Sequence, residues 1–170
     1  REKRKEDVRI FKKAIKNKKA NCYGYSLIFK EVCDFLNIES EIVTGFARGN
    51  LDAIGRKISL KNHSWNAAKL GNLWKLIDIA WANGYLDIEK ANNNSYYYLK
   101  SPKEFLNQHL PGNPKWQLVL NKVSKKEFIS RPLLYPKYYS SKFKLKKETK
   151  GIIKVSKNNK HIVINFDRIP

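Results

Sequence analysis

The chain has 170 residues, with 35 Lys plus Arg against 15 Asp plus Glu and a formal charge of +20. Its 42% hydrophobic content, with 4 Trp, 9 Tyr and 8 Phe, is too rich in core formers for a disordered basic tail. No run approaches the roughly 20 consecutive apolar residues of a bilayer span, so no integral membrane segment is expected.

The periodicity predicts a basic helix over 4–16, with Val8, Phe11 and Ile15 as its apolar stripe. A polar break at 17–21 precedes a second helix over 22–37, apolar around much of its circumference and therefore expected to be packed on several sides. Residues 41–47 read as a strand. Residues 63–70 and 73–80 then read as a tight hairpin closed by Gly71-Asn72. If Leu70 faces Leu73, then Trp65 faces Asp78 and His63 faces Ala80, which makes His63 and Asp78 diagonal neighbours on one face.

A turn is expected at 49–55, a surface loop at 84–94 and a short edge strand at 96–99. Ser101-Pro102-Lys103-Glu104 has the capping pattern of a helix start, and that helix is expected to run to Leu110, ahead of Pro111-Gly112. A strand at 116–120, a helical turn at 124–128 and a β-hairpin beyond Phe143, around Asn158-Asn159, complete the reading. The expectation is an α+β catalytic core over 1–140 and a basic β-hairpin extension, or the start of a second domain, over 141–170.

The excess charge invites nucleic acid as a partner, but only 7 of the 35 basic residues are Arg, the side chain better suited to bidentate recognition of phosphate and bases. Solvated Lys faces at the two ends of the chain account for most of the charge. An acidic protein or cell-surface polymer stays open as a partner, ahead of nucleic acid.

Cys22 and Cys33 lie in one predicted helix, where eleven residues at about 1.5 Å each separate their backbones by roughly 16 Å, too far for a disulfide. Cys33 reads as a buried small hydrophobe. Cys22 opens the helix, where unpaired backbone N–H groups favour a thiolate. His63 begins the first hairpin strand, and Asp78 interrupts the apolar run Leu76-Ile77-Asp78-Ile79-Ala80-Trp81, where a buried carboxylate needs a partner. Either Asp78 binds backbone and His63 is a turn residue, or the two pair as base and orienting acid for Cys22. His109, at the expected helix end, and His161, on the β-extension, carry no catalytic expectation.

Four segments then carry a resemblance: Asn21-Cys22-Tyr23-Gly24-Tyr25-Ser26, Ile42-Val43-Thr44-Gly45-Phe46-Ala47, His63-Ser64-Trp65-Asn66-Ala67, and Trp74-Lys75-Leu76-Ile77-Asp78-Ile79-Ala80-Trp81. In this order they resemble the transglutaminase-like cysteine-enzyme superfamily, and within it the kyphoscoliosis-peptidase branch. Phe105-Leu106-Asn107-Gln108-His109-Leu110-Pro111 and Pro114-Lys115-Trp116-Gln117-Leu118 extend the likeness over about residues 15–135. The resemblance implies a papain-like core with Cys22 as nucleophile, His63 as base and Asp78 as orienting acid. Tyr23, Tyr25 and Trp65 are the candidates to line the cleft, with core packing as their alternative role.

Asn21 stands where the better-known transglutaminases commonly carry Gln, and Tyr23 where they carry Trp. A protease or amidase acting on a peptide or protein is therefore expected ahead of a cross-linking transglutaminase. A non-catalytic module binding a protein or surface polymer is the alternative of a different class. No cofactor or metal is implied, and the setting expected from the resemblance and charge is secreted or cell-surface.

Overall fold

Asn21 sets where the nucleophile-bearing helix begins. Its backbone is extended, and its side-chain oxygen accepts the Gly24 N–H at 2.9 Å, satisfying one of the donors that a helix start leaves unpaired. Helix α2 (Cys22–Phe35) therefore opens on Cys22, and α1 (Glu2–Asn17) lies against its first turn, with the Tyr23 hydroxyl donating to Asp7 at 2.8 Å. The structure, a computed structural model, describes residues 2–49, 58–83, 94–146, 149–153 and 162–169. Most of the expected turn at 49–55 and of the loop at 84–94, together with Asn158, Asn159 and His161, lies outside the described residues.

Helix α1 is turned from the sequence expectation, and α2 follows its expectation only in part. In α1 the inward positions are Asp7, Ile10, Phe11 and Ala14, while Val8 and Ile15 are exposed. The Tyr23–Asp7 bond accounts for that rotation. In α2, Ser26, Leu27 and Cys33 are buried, but Val32, Phe35 and Leu36 are exposed, Phe35 at 85%. The helix packs against α1 and the sheet, as expected of an apolar circumference, and leaves one side of its last turns exposed.

Strands β1 (Ser40–Ala47), β2 (His63–Leu70), β3 (Leu73–Ile77), β4 (Tyr98–Lys100) and β5 (His109–Pro111) form one antiparallel sheet in the order β4-β3-β2-β1-β5. The fold is α+β. Gly71, at φ 60°, supplies the left-handed residue of the turn, and Leu70 faces Leu73 as the sequence register requires. The ladder stops at Asn66–Ile77, so the expected Trp65–Asp78 and His63–Ala80 pairs do not form. Asp78 instead leaves the sheet and caps α3 (Ile79–Ala82), its Oδ1 accepting the Trp81 N–H at 3.0 Å. Capping outweighs the strand propensity of the flanking isoleucines.

Further along, the Ser101 hydroxyl accepts the Glu104 N–H at 3.3 Å and starts α4 (Pro102–Phe105). This helix ends at Phe105, not Leu110, because residues 109–111 pair with β1 as β5. The strand expected at 116–120 is absent from these described residues; Pro114–Gln117 forms a 3-10 turn and Leu118 takes a left-handed φ of 51°. The Gln117 side chain accepts from the Val123 N–H at 2.7 Å and donates to the Val123 carbonyl at 2.9 Å, which closes the segment on itself. Helices α5 (Lys125–Ser130) and α6 (Pro136–Tyr139) follow, then β6 (Phe143–Leu145), which pairs antiparallel with β7 (Phe166–Arg168) in a separate two-stranded sheet.

The main core joins Val43, Trp65, Ala67, Leu76, Phe105 and Trp116. Across the sheet from it, the Asn66 side chain donates to the Ser26 carbonyl at 3.1 Å and ties β2 to α2. Gly45 is required where β1 passes beneath this core, since a Cβ there would lie 2.2 Å from the Leu110 carbonyl oxygen and 2.7 Å from the Trp65 ring. Arg48 is fully buried, stacks over Phe128 and donates to the carbonyls of Asn107, Arg131 and Pro132 at 2.9, 2.8 and 3.1 Å. It thereby pins the segment after α5 to the segment that leads into β5.

Candidate active site

Cys22, His63 and Asp78 meet where the first turn of α2 passes the beginning of β2. His63 Nε2 lies 2.6 Å from Asp78 Oδ2, and both side chains are buried. The half-buried Cys22 thiol lies beside the His63 ring and the backbone of Ser64 and Tyr23, all of which act on its ionisation. With Nε2 engaged by Asp78, Nδ1 is the imidazole nitrogen left for the sulfur.

Burial alone would raise the Cys22 pKa, but the His63 hydrogen bond and charge, with the two backbone donors, lower it. Burial would likewise lower the His63 pKa; hydrogen bonds to Asp78 and Cys22 reverse this and raise it to about 9. For Asp78, burial opposes ionisation, and the donors His109 and His63 bring its pKa down to about 2. The electrostatics favour a thiolate–imidazolium pair backed by a carboxylate.

His109 belongs to this cluster, which corrects its assignment to a helix end. It sits on β5, fully buried, with Nε2 2.8 Å from the same Asp78 oxygen. The ligand-type atoms of His63, Asp78 and His109 lie within 4.8 Å of one another. Their 2.6 and 2.8 Å contacts are hydrogen-bond lengths with each Nε2 directed at the carboxylate, so the three side chains form a hydrogen-bonded cluster. A polar His-x-Pro sequence just after a short capped helix was the available signal, and the helical spacing of Leu106 and Leu110 masked it.

The three cleft candidates take different places. Trp65 is fully buried, with its ring centroid 6.0 Å from that of His63 and 5.1 Å from that of His109, so it packs behind the cluster and lines no cleft. Tyr23 is turned toward α1 by its bond to Asp7. Tyr25 stays half-buried and packs with Cys22 against the Ala47, Trp81 and Tyr97 cluster, its hydroxyl accepting from Asn83 at 3.0 Å. Trp81 flanks both imidazoles, with centroids 5.0 Å from His63 and 4.3 Å from His109. It shields them from water.

A cavity of about 250 Å³ lies between α1 and the start of α2, lined by Arg9, Ile10, Lys13, Ala14, Lys19 and Gly24 among others. Its lining does not include Cys22.

A thiol, an imidazole and a carboxylate in series on an α+β scaffold define the class of site. No protein-family model matches the chain. It is similar to the kyphoscoliosis peptidase of Mus musculus, 30% identical over 119 residues that cover 67% of this chain and 18% of that protein. It is also similar to cytokinesis protein 3 of Schizosaccharomyces pombe, 23% identical over 151 residues, covering 87% of this chain and 17% of the relative. The Lim and transglutaminase domain protein ltd-1 of Caenorhabditis elegans is 22% identical over 128 residues, covering 65% and 17%. The chain thus spans under a fifth of the length of these relatives. Their names point to a transglutaminase-like family. No helix among the described residues is long and apolar enough to cross a membrane.

Proposed function

We propose that the chain is a transglutaminase-like thiol enzyme with a papain-like core, acting on peptide or protein amides as a protease or amidase. The carrying observation is that a thiol at the start of a helix lies beside an imidazole, which is itself hydrogen-bonded to a buried carboxylate. His63 Nδ1 takes the Cys22 proton, and the sulfur attacks the amide carbonyl carbon. The oxyanion receives the Cys22 backbone N–H, one of the N–H groups a helix start leaves without an internal acceptor. The His63 imidazolium then protonates the departing amine as the C–N bond breaks, leaving a thioester on Cys22. Water, deprotonated by His63, opens the thioester to a carboxylic acid; a lysine amine in place of water would make the same site a transglutaminase. Asp78 holds the imidazole and favours its charged form.

On this reading residues 1–140 are the catalytic core and 141–170 an extension. The test is a peptidyl electrophile and a fluorogenic peptide amide, each applied to the intact chain, Cys22→Ala and His63→Ala. Labelling and hydrolysis should vanish in the first and fall at least 100-fold in the second, the order of a lost general base. Amine incorporation in place of hydrolysis would assign cross-linking.

A second reading, a module that binds a protein partner without turnover, is favoured by exposed Val32 and Phe35 on α2, with Leu36 just beyond it, and by a relative named for cytokinesis. Unchanged labelling in His63→Ala would favour it.

A further inference from the structure

The carboxylate assigned to the triad has a second imidazole on it. His63 and His109 both reach Asp78 Oδ2, at 2.6 and 2.8 Å, while Asp78 Oδ1 accepts the Trp81 N–H. We propose that His109 is a positioning residue for the reaction: a neutral imidazole that donates its Nε2–H to the Asp78 oxygen used by His63, and by sharing that oxygen limits how strongly the carboxylate holds the His63 proton. The inference rests on the reading of Cys22 and His63 as the reacting pair.

Three observations fix the state of His109. It is fully buried, and its Nε2 meets a carboxylate oxygen that can only accept, so Nε2 carries a proton. Its ring stacks on Phe105 at 4.1 Å and 23°, and Trp81 lies on it at 4.3 Å, so it cannot turn its other nitrogen to Asp78 without unpacking both rings. Burial holds its pKa down at about 4, outweighing Asp78 and a nearby Phe105 carbonyl, both of which favour protonation. His109 is therefore a donor that adds no charge near neutral pH.

The titratable groups around Asp78 are Cys22 from α2, His63 from β2, His109 from β5, and Tyr97 from the turn before β4. The Tyr97 hydroxyl donates to Gln108 and is kept protonated by burial. Removing one neutral donor from a buried carboxylate raises the proton affinity of whatever remains bonded to it. Without His109, Asp78 would hold the His63 Nε2–H harder, which raises the proton affinity of Nδ1, and His63 would release its Nδ1 proton more slowly to the leaving amine. A packing role alone predicts no such change.

The experiment is a titration of the His63 imidazole by ¹³C and ¹⁵N NMR in the intact chain, in His109→Phe and in His109→Gln. Phe fills the space without a donor, and the Gln amide can restore one. The His63 midpoint should rise by about one pH unit in His109→Phe, tenfold in proton affinity, and return to within a few tenths in His109→Gln. In the intact chain the His109 nitrogens should show the neutral Nε2–H form at pH 7, a readout that holds even if His109→Phe does not fold. A folded His109→Phe with an unmoved or lowered midpoint overturns the proposal, as does a charged His109 or one protonated on Nδ1 alone. Failure of the functional reading shows separately, as alkylation of Cys22 by iodoacetamide that is indifferent to His63→Ala while the NMR shifts stand.

Discussion

His63 and His109 meet on one oxygen of Asp78 although β2 and β5 are not adjacent; β1 runs between them. Gly45 of β1 pairs with His63 on one side and with Pro111 on the other, and its missing side chain leaves room for the Trp65 ring above it. The two imidazoles have opposite states. His63 gains charge from its partners, and His109 is held neutral by burial.

That opposition sets the pH dependence of stability. The folded pKa of His63 is raised from 6.5 to about 9, so its contribution is complete below pH 6.5 and is lost as pH rises through 9, while the lowered pKa of Cys22 acts in the opposite sense, its contribution being lost as pH falls, so the two largely offset on the alkaline side. The folded pKa of His109 is lowered from 6.5 to about 4, so the unfolded chain takes up the proton first and stability falls by about 3 kcal/mol between pH 6.5 and 4. Asp78 adds a further loss below its ordinary 3.8, as pH falls toward 2. Urea denaturation from pH 4 to 10 should show stability falling steeply below pH 6.5 and only shallowly above it, and His109→Gln should flatten the acid side. An unchanged acid limb in that variant would contradict the buried neutral state.

The helix cap should separate stability from thiolate chemistry. Asn21→Ala removes the acceptor for Gly24 N–H and should cost about 1 kcal/mol. Asn21→Asp keeps the cap but sets a negative charge one residue from Cys22, which disfavours the thiolate. Its melting temperature should match the parent, while alkylation of Cys22 at pH 6 slows several-fold. Equal slowing in both variants would mean that cap geometry, not charge, controls the sulfur.

Two glycines should respond differently to alanine. At Gly45 the new methyl meets the Leu110 backbone and the Trp65 ring, so the variant should lose more than about 2 kcal/mol and disturb near-ultraviolet circular dichroism. At Gly71 nothing lies within 4 Å, and only the left-handed φ is strained. Gly71→Ala should cost about 1 kcal/mol with unchanged aromatic signals. Similar losses at the two positions would argue against the close approach under Trp65.

Arg48 is a buried cation bonded to three backbone carbonyls, and burial lowers its pKa to about 10. Arg48→Lys should not rescue it, because one ammonium lacks the planar fork that spans Asn107, Arg131 and Pro132. A loss of about 3 kcal/mol or more is expected for both Lys and Ala, read from thermal unfolding. Full rescue by Lys would show that charge alone suffices.

Local chemistry made part of this structure legible in the sequence. Gly71-Asn72 fixed the hairpin register, the polar break at 17–21 placed Cys22 at a helix start, and Ser101 marked its cap. What was missed depends on distant partners. Ile77-Asp78-Ile79 alternates like a strand, and only the capping of Trp81 turns Asp78 out of the sheet to meet two imidazoles. Residues 102–110 carry helical spacing, yet β1 draws His109 into an edge strand. The inward face of α1 follows Asp7 because Tyr23 reaches it from another helix. Catalytic roles for Cys22, His63 and Asp78 come from their chemistry and resemblance; the fold supplies the proximity on which that proposal stands.

The most direct test of the central claim is the pH dependence of Cys22 alkylation by iodoacetamide, with the modified residue identified by peptide mapping, in the intact chain and in His63→Ala. Cys22 should react as a thiolate well below the ordinary thiol range, and His63→Ala should return its midpoint to that range, with buried Cys33 unreactive in both. A Cys22 that titrates as an ordinary thiol in the intact chain, or a midpoint that ignores the loss of His63, would contradict the account.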